Sequence, residues 1–153
     1  MNSLGELELT LEDHRRAFTE VSFLLEILVR TASEAVGRSM PSLATSAGRQ
    51  MGRKLPGAAG PVDFGKVLPM IGESLSGGFE IAGQLGADGA ELHIEKCVVR
   101  DVCRQQGLEL GGELCKAFHC YLAGMMAHLV GKQVRQTLLS ANETCELRVD
   151  VQR

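Results

Sequence analysis

From Thr144 to Val151 the chain alternates without a break: Cys145, Leu147, Val149 and Val151 fall on one side, Thr144, Glu146, Arg148 and Asp150 on the other. Successive side chains of a strand point to opposite faces, so this run reads as a strand with one face in a core and one in water. That is the habit of an antiparallel sheet, and its apolar side must be covered. A cover lies just upstream. Leu114, Ala117, Phe118, Tyr121, Leu122, Met125 and Leu129 recur at helical spacing between Glu109 and Val130, and Gly131 stands where a C-cap glycine belongs. Gln133–Leu139 then pairs back on the terminal strand as a hairpin through Ser140–Glu143.

The upstream half reads as three helices followed by a hairpin, and no internal repeat is visible. Thr10 and Asp13 have the spacing of a capping box, and Phe18, Val21, Leu24, Leu25 and Leu28 continue as a first helix from Leu11 to Ala35. Met40, Leu43, Ala44, Ala47, Met51 and Leu55 mark a second, with Pro41 tolerable only in its first turn. Gly48 and Gly52 share one stripe of that helix, at a propensity cost of about 1 kcal/mol each, so a neighbouring helix or a ligand must come close to the backbone there. The segment from Gly37 to Lys66 is basic within an acidic chain. After a Gly- and Pro-rich loop, Pro56–Pro61, a third helix carries Phe64, Val67, Leu68, Ile71 and Leu75, kinked at Pro69 and ended by Gly77-Gly78. Phe79–Leu85 and Ala90–Val99 flank Asp88-Gly89 as a hairpin. The order predicts an α+β fold, an antiparallel sheet of about four strands against four helices. Residues 1–10, where Leu7, Leu9 and Leu11 alternate, read as an N-terminal arm and 11–153 as a single domain.

Composition removes several function classes. Sixteen Lys and Arg against nineteen Asp and Glu give a net charge of −3, without the excess that a phosphate backbone demands, and 4% aromatics leave few stacking platforms. Nucleic acid is therefore not expected as a partner. No run approaches the ~20 apolar residues of a membrane span, and the acidic start is unlike a secretory signal, so a cytoplasmic protein is expected. Five cysteines, an odd number in a chain large enough to fold without staples, read as reduced thiols or metal ligands.

No catalytic motif is present: there is no G-x-S-x-G, Walker loop, G-x-G-x-x-G or H-E-x-x-H. Cys97 and Cys103 bracket the end of the first hairpin, Cys115 and Cys120 lie on the long helix, and Cys145 begins the core face of the last strand. His119 stands one turn after Cys115. A soft-ligand set for zinc or an iron–sulfur cluster would need three or four of these to converge; otherwise they pack as small apolar groups. Cys120 is set aside, five residues or about 140° round the helix from Cys115. His93 falls with Glu91, Glu95 and Cys97 on one strand face, read as solvated, and His128 suits the helix C-terminus.

Read together, Cys97-Val-Val-Arg-Asp-Val-Cys103, Cys115-Lys-Ala-Phe-His-Cys-Tyr-Leu-Ala-Gly124, Leu129-Val-Gly-Lys-Gln-Val134 and Cys145-Glu-Leu-Arg-Val149 resemble the C-terminal half of the 4-vinyl reductase, or hydrocarbon-binding, domain family. Ala47-Gly48-Arg49-Gln50-Met51-Gly52 is similar to its glycine-marked second helix, so the resemblance spans Leu25 to Val151. It implies a fold like that of TRAPP vesicle-tethering subunits, a pocket between helices and sheet, and often a homodimer. In relatives that sense aromatic pollutants, zinc is held by a cysteine opening the long helix and by a Glu and two Cys in the final hairpin. Cys115 matches the first position and Cys145 the last, but the hairpin here is short and lacks the other cysteine, leaving Cys97, Cys103 and His119 as replacements.

The reading preferred on these grounds is a stand-alone sensor or carrier for a hydrophobic or tetrapyrrole-like molecule, with zinc or an iron–sulfur cluster on Cys97, Cys103, Cys115 and Cys145 or His119. Its ligand would touch Met51, Phe64, Phe118, Leu122 and Met125, which lie on the stripes facing the sheet. A homodimer is expected from the apolar surface of the first two helices. An accessory factor or reductase of porphyrin metabolism and an interaction subunit with a vestigial pocket are the alternatives. The enzyme reading is the weaker, since it needs a redox cofactor site and no dinucleotide fingerprint exists.

Overall fold

The computed structural model describes residues 9–57 and 59–152; the alternation around Leu7 lies outside them. Helix α1 (Leu11–Val36) opens with the capping box foreseen: the Asp13 amide donates to Thr10 Oγ1 at 3.1 Å and the Thr10 amide donates to Asp13 Oδ2 at 2.9 Å. A 3-10 turn at Gly37–Ser39 leads into α2 (Met40–Gly52), which carries Pro41 in its first turn. Asp63 caps α3 (Phe64–Leu75) by accepting from the Gly65 amide, and Pro69 lies within that helix. Strands β1 (Phe79–Leu85) and β2 (Gly89–Cys97) form the first hairpin, β3 (Val134–Ala141) and β4 (Cys145–Val151) the second. The sheet is antiparallel throughout, in the order β1-β2-β4-β3.

Two boundaries differ from the sequence reading. Val98 and Val99 do not extend the hairpin but open a further helix, α4 (Val98–Gln106), ended by Gly107 in the left-handed region at φ 66°. The long helix, α5 (Glu113–Val130), starts after Glu109, because Gly111 at φ 76° turns the chain just before it. The C-cap foreseen at Gly131 is present, left-handed at φ 67°.

Helix α5 is the centre of the domain. Eleven of its residues are buried, as befits a helix covered on opposite sides. One side joins the inner face of the sheet, Ala90, Leu92, Ile94, Cys145, Leu147 and Val149, in the core that Val67 and Ile71 of α3 also enter. The other side meets α2 at backbone distance. A Cβ on Gly48 would stand 1.9 Å from the Tyr121 carbonyl oxygen, and one on Gly124 would stand 2.1 Å from that of Thr45. The close approach that the paired glycines demanded is therefore made by a helix. The outer sheet face is polar, with Arg148 reaching Glu91 at 3.4 Å and His93 near Glu146 at 3.8 Å.

Helix α1 is the exception to this packing. It turns Phe18, Ser22, Leu25 and Val29 inward, while Val21 (61% exposed), Leu24 (55%) and Leu28 (57%) stand in water.

Candidate functional site

Two hollows open where α3 lies along the edge strand β1. Phe64 lines a cleft of about 420 Å³ with Val62, Leu85, Val130, Lys132 and Val151, where the start of α3 meets the β1–β2 turn. A second hollow of about 390 Å³ opens along the same α3–β1 seam, lined by Gly72, Ser76, Phe79 and Ile81. Phe79 stacks on Phe118 of α5, ring centroids 4.5 Å apart and planes at 12°. Behind this pair, Leu122 and Met125 are fully buried, and Met51 is half-buried against the same core. The five residues singled out from the sequence thus fall into three places: Phe64 in a cleft, Phe118 at a half-buried ring stack, and Met51, Leu122 and Met125 in packed interior. Phe79 was not foreseen. It opens a strand, where an aromatic has an ordinary packing explanation, and only the register brings it under Phe118.

The thiols gather at the N-terminal end of α5, on the side where Phe79 pairs with Cys97 and away from the Phe64 cleft. Cys97 is buried rather than on the wet face with His93, because the β1–β2 register slips by one residue at Glu80/Ile81. Ile81 faces Ile94 but Glu80 faces Lys96, so Glu95 is the extra residue of a β-bulge and the strand changes parity there. Cys103 on α4 and Cys115 in the first turn of α5 approach to 3.8 Å between sulfurs. That contact, the Gly111 backbone amide and the Arg100 charge draw the Cys115 thiol down to about 6 against the opposing effect of burial, while Cys103 is pushed up. Cys145, buried at the start of β4 with its sulfur 3.6 Å from Nη2 of Arg100, completes the group.

Among these sulfurs lies a residue to which the sequence reading assigned no role. Arg100 is only 5% exposed. Its Nη1 donates to the carbonyls of Glu95 (3.0 Å) and Glu143, its Nη2 to the carbonyl of Ile94 at 2.7 Å and to Cys145 Sγ at 3.6 Å, and its Nε has no partner. A signal existed: once Val98–Gln106 is read as a helix, Arg100 stands three residues before Cys103 and on its face. Among the described residues, no three His, Cys, Asp or Glu side chains stand together as a metal-ligand set.

His119 is 2% exposed with an unpartnered Nδ1, and burial pulls it down to about 4, so it is neutral at physiological pH. Cys120, set aside from the thiol group, accepts instead from Gln136 Nε2 at 3.7 Å.

No protein-family model matches the chain, and a search of curated proteins finds no match. Among solved structures the fold is similar to the phenol-responsive sensory domain of the transcription activator PoxR, crystallised with phenol, at a TM-score of 0.60 and 17% identity, over 88% of this chain and 74% of that one.

Proposed function

We propose that the chain is a small-molecule-binding module, a sensor or carrier for a compact, mainly apolar ligand. The likeness in fold to a sensory domain crystallised with phenol carries this reading. The α3–β1 seam supports it: its cleft of about 420 Å³ falls within the range of about 300–1,000 Å³ usual for ligand pockets. The seam has two openings, Phe64 marking the one at the start of α3 and Phe79 the one past its end; a ligand entering by the second would swing Phe118 off its partner ring and meet Met51, Leu122 and Met125 as the yielding inner wall. A single aromatic ring suits that space better than a tetrapyrrole.

The test is a thermal-shift titration with phenol, cresols, catechol and indole, beside native mass spectrometry of the protein as purified. A ligand at one hundred times its dissociation constant adds about 2.7 kcal/mol, a rise of roughly 5–10 °C, and Phe118→Ala should abolish it. No rise with any of these compounds, with nothing co-purifying, would overturn the reading.

The module would act as a homodimer through α1. Ala17, Val21, Leu24, Leu28, Thr31 and Ala35 are spaced four, three, four, three and four apart, all exposed, which is the seam of a coiled coil. A second copy of α1 offers the same spacing and is the natural occupant. No helix among the described residues is long and apolar enough to cross a membrane. Five unpaired cysteines suit a reducing compartment, and the cytoplasm is the proposed location.

A further inference from the structure

The thiol cluster contains a cation already. Pairing of β4 with β2 stops at Ile94–Cys145, so the carbonyls of Ile94 and Glu95 run past the end of β4, and the Glu143 carbonyl lies in the turn just before β4 begins. These are backbone acceptors at the frayed meeting of two hairpins. The guanidinium of Arg100 takes all three and adds Cys145 Sγ, so one side chain of α4 joins the end of β2, the β3–β4 turn and the first residue of β4. Arg104, one turn later, reaches the Glu143 carboxylate from outside at 2.9 Å.

A structural zinc would tie together the same elements, through thiolates at about 2.3 Å from the metal. The residues here do not fit one. Among the described residues no three His, Cys, Asp or Glu side chains converge, Nη2 stands 3.6 Å from Cys145 Sγ, and the guanidinium is close enough for its charge to act on Cys97 and Cys115 as well. A dication set among these sulfurs would face a fixed positive charge across a few ångströms of low-dielectric interior. Arginine, always charged and presenting a planar fork of donors, suits a site built of carbonyls and sulfur.

We infer that Arg100 is the structural cation of this cluster, joining the two hairpins through the Ile94, Glu95 and Glu143 carbonyls and Cys145, and that the domain folds without zinc or iron. The inference does not rest on the ligand reading.

Two measurements test it. Protein purified anaerobically, before and after incubation with equimolar zinc, is analysed for bound metal, and its melting temperature is compared with and without a chelator. Metal far below one per chain and an unchanged melting temperature are expected; stoichiometric zinc or iron, or melting lowered by the chelator, would overturn the inference. The second measurement is Arg100→Met, which keeps the stem and strands the three carbonyls; a fall of about 10 °C is expected. Melting within a degree or two of the parent would show that the guanidinium holds nothing. Should that variant fail to fold, Arg100→Lys, which keeps the charge and loses the fork, carries the same test, and an unchanged melting temperature again refutes the role.

Discussion

Gly48→Ala gives the sharpest test of the packing at the domain's centre, because two opposing effects can be sized in advance. In an isolated helix the substitution would gain about 1 kcal/mol of propensity. Here the new methyl would lie 1.9 Å from the Tyr121 carbonyl oxygen, where ordinary contact needs about 3.5 Å, so α2 and α5 must part by roughly 1.5 Å at their crossing. A gap of that size forfeits more than half of the attraction of each facing atom pair. With about fifty pairs at 0.1–0.2 kcal/mol each, about 3–4 kcal/mol is lost. The net destabilisation is about 2–3 kcal/mol, or about 4–12 °C for a domain of this size. Urea unfolding followed by circular dichroism reads it directly, the midpoint falling while the slope is kept. Gly124→Ala, 2.1 Å from the Thr45 oxygen, should behave alike, whereas Gly77→Ala, whose Cβ would meet nothing within 4 Å, should be neutral or slightly stabilising. A midpoint unchanged or raised in Gly48→Ala would refute the close crossing.

Three further outcomes are expected. Replacing Leu24 and Leu28 together by Glu should turn a dimer into a folded monomer in sedimentation; a parent that is already monomeric at micromolar concentration would end the coiled-coil reading. Burial lowers His119 from 6.5 to about 4, so between those values the unfolded chain holds the extra proton; stability should be level above about pH 6.5 and fall by up to about 3 kcal/mol as pH drops toward 4. His119→Leu should flatten that limb, and an unaltered limb would show another group to be responsible. Cys120, the one thiol that is not fully buried, should be alkylated first in native protein, with Cys97, Cys103, Cys115 and Cys145 following only on unfolding; peptide mapping after timed iodoacetamide treatment would show any other order.

Periodicity carried much of the architecture. The one-sided β4, the stripe and C-cap of α5, the Thr10 capping box and the Asp88-Gly89 turn are local signals, and each stands where its pattern placed it. The paired glycines of α2 correctly required a close neighbour, and sequence could not say which one, since the answer lies in α5, some seventy residues on. What escaped was whatever depended on a single residue of phase. Helix α4 is nine residues long and begins where two valines could equally continue a strand, so the face holding Arg100 beside Cys103 went unread. Cys97 was assigned to the wet face by strict alternation, which a bulge breaks. The ligand residues were read from stripes that face the sheet, and a stripe does not tell a pocket wall from packed core.

The bulge at Glu95 reaches beyond one cysteine. A strand counts in twos, and an inserted residue makes everything downstream change sides. With Glu95 counted, the chain leaves β2 on the inner side of the sheet, and α4, Arg100 and the cap of α5 all follow on that side. Without it the chain would depart into solvent, and the route that passes α5 beneath both hairpins would have to begin from the wrong surface. Length changes should therefore be tolerated very unevenly along this hairpin: readily at its exposed tip, Gly86–Asp88, and in β2 only in even steps. One residue of arithmetic in an edge hairpin decides on which side of the sheet the rest of the domain is built.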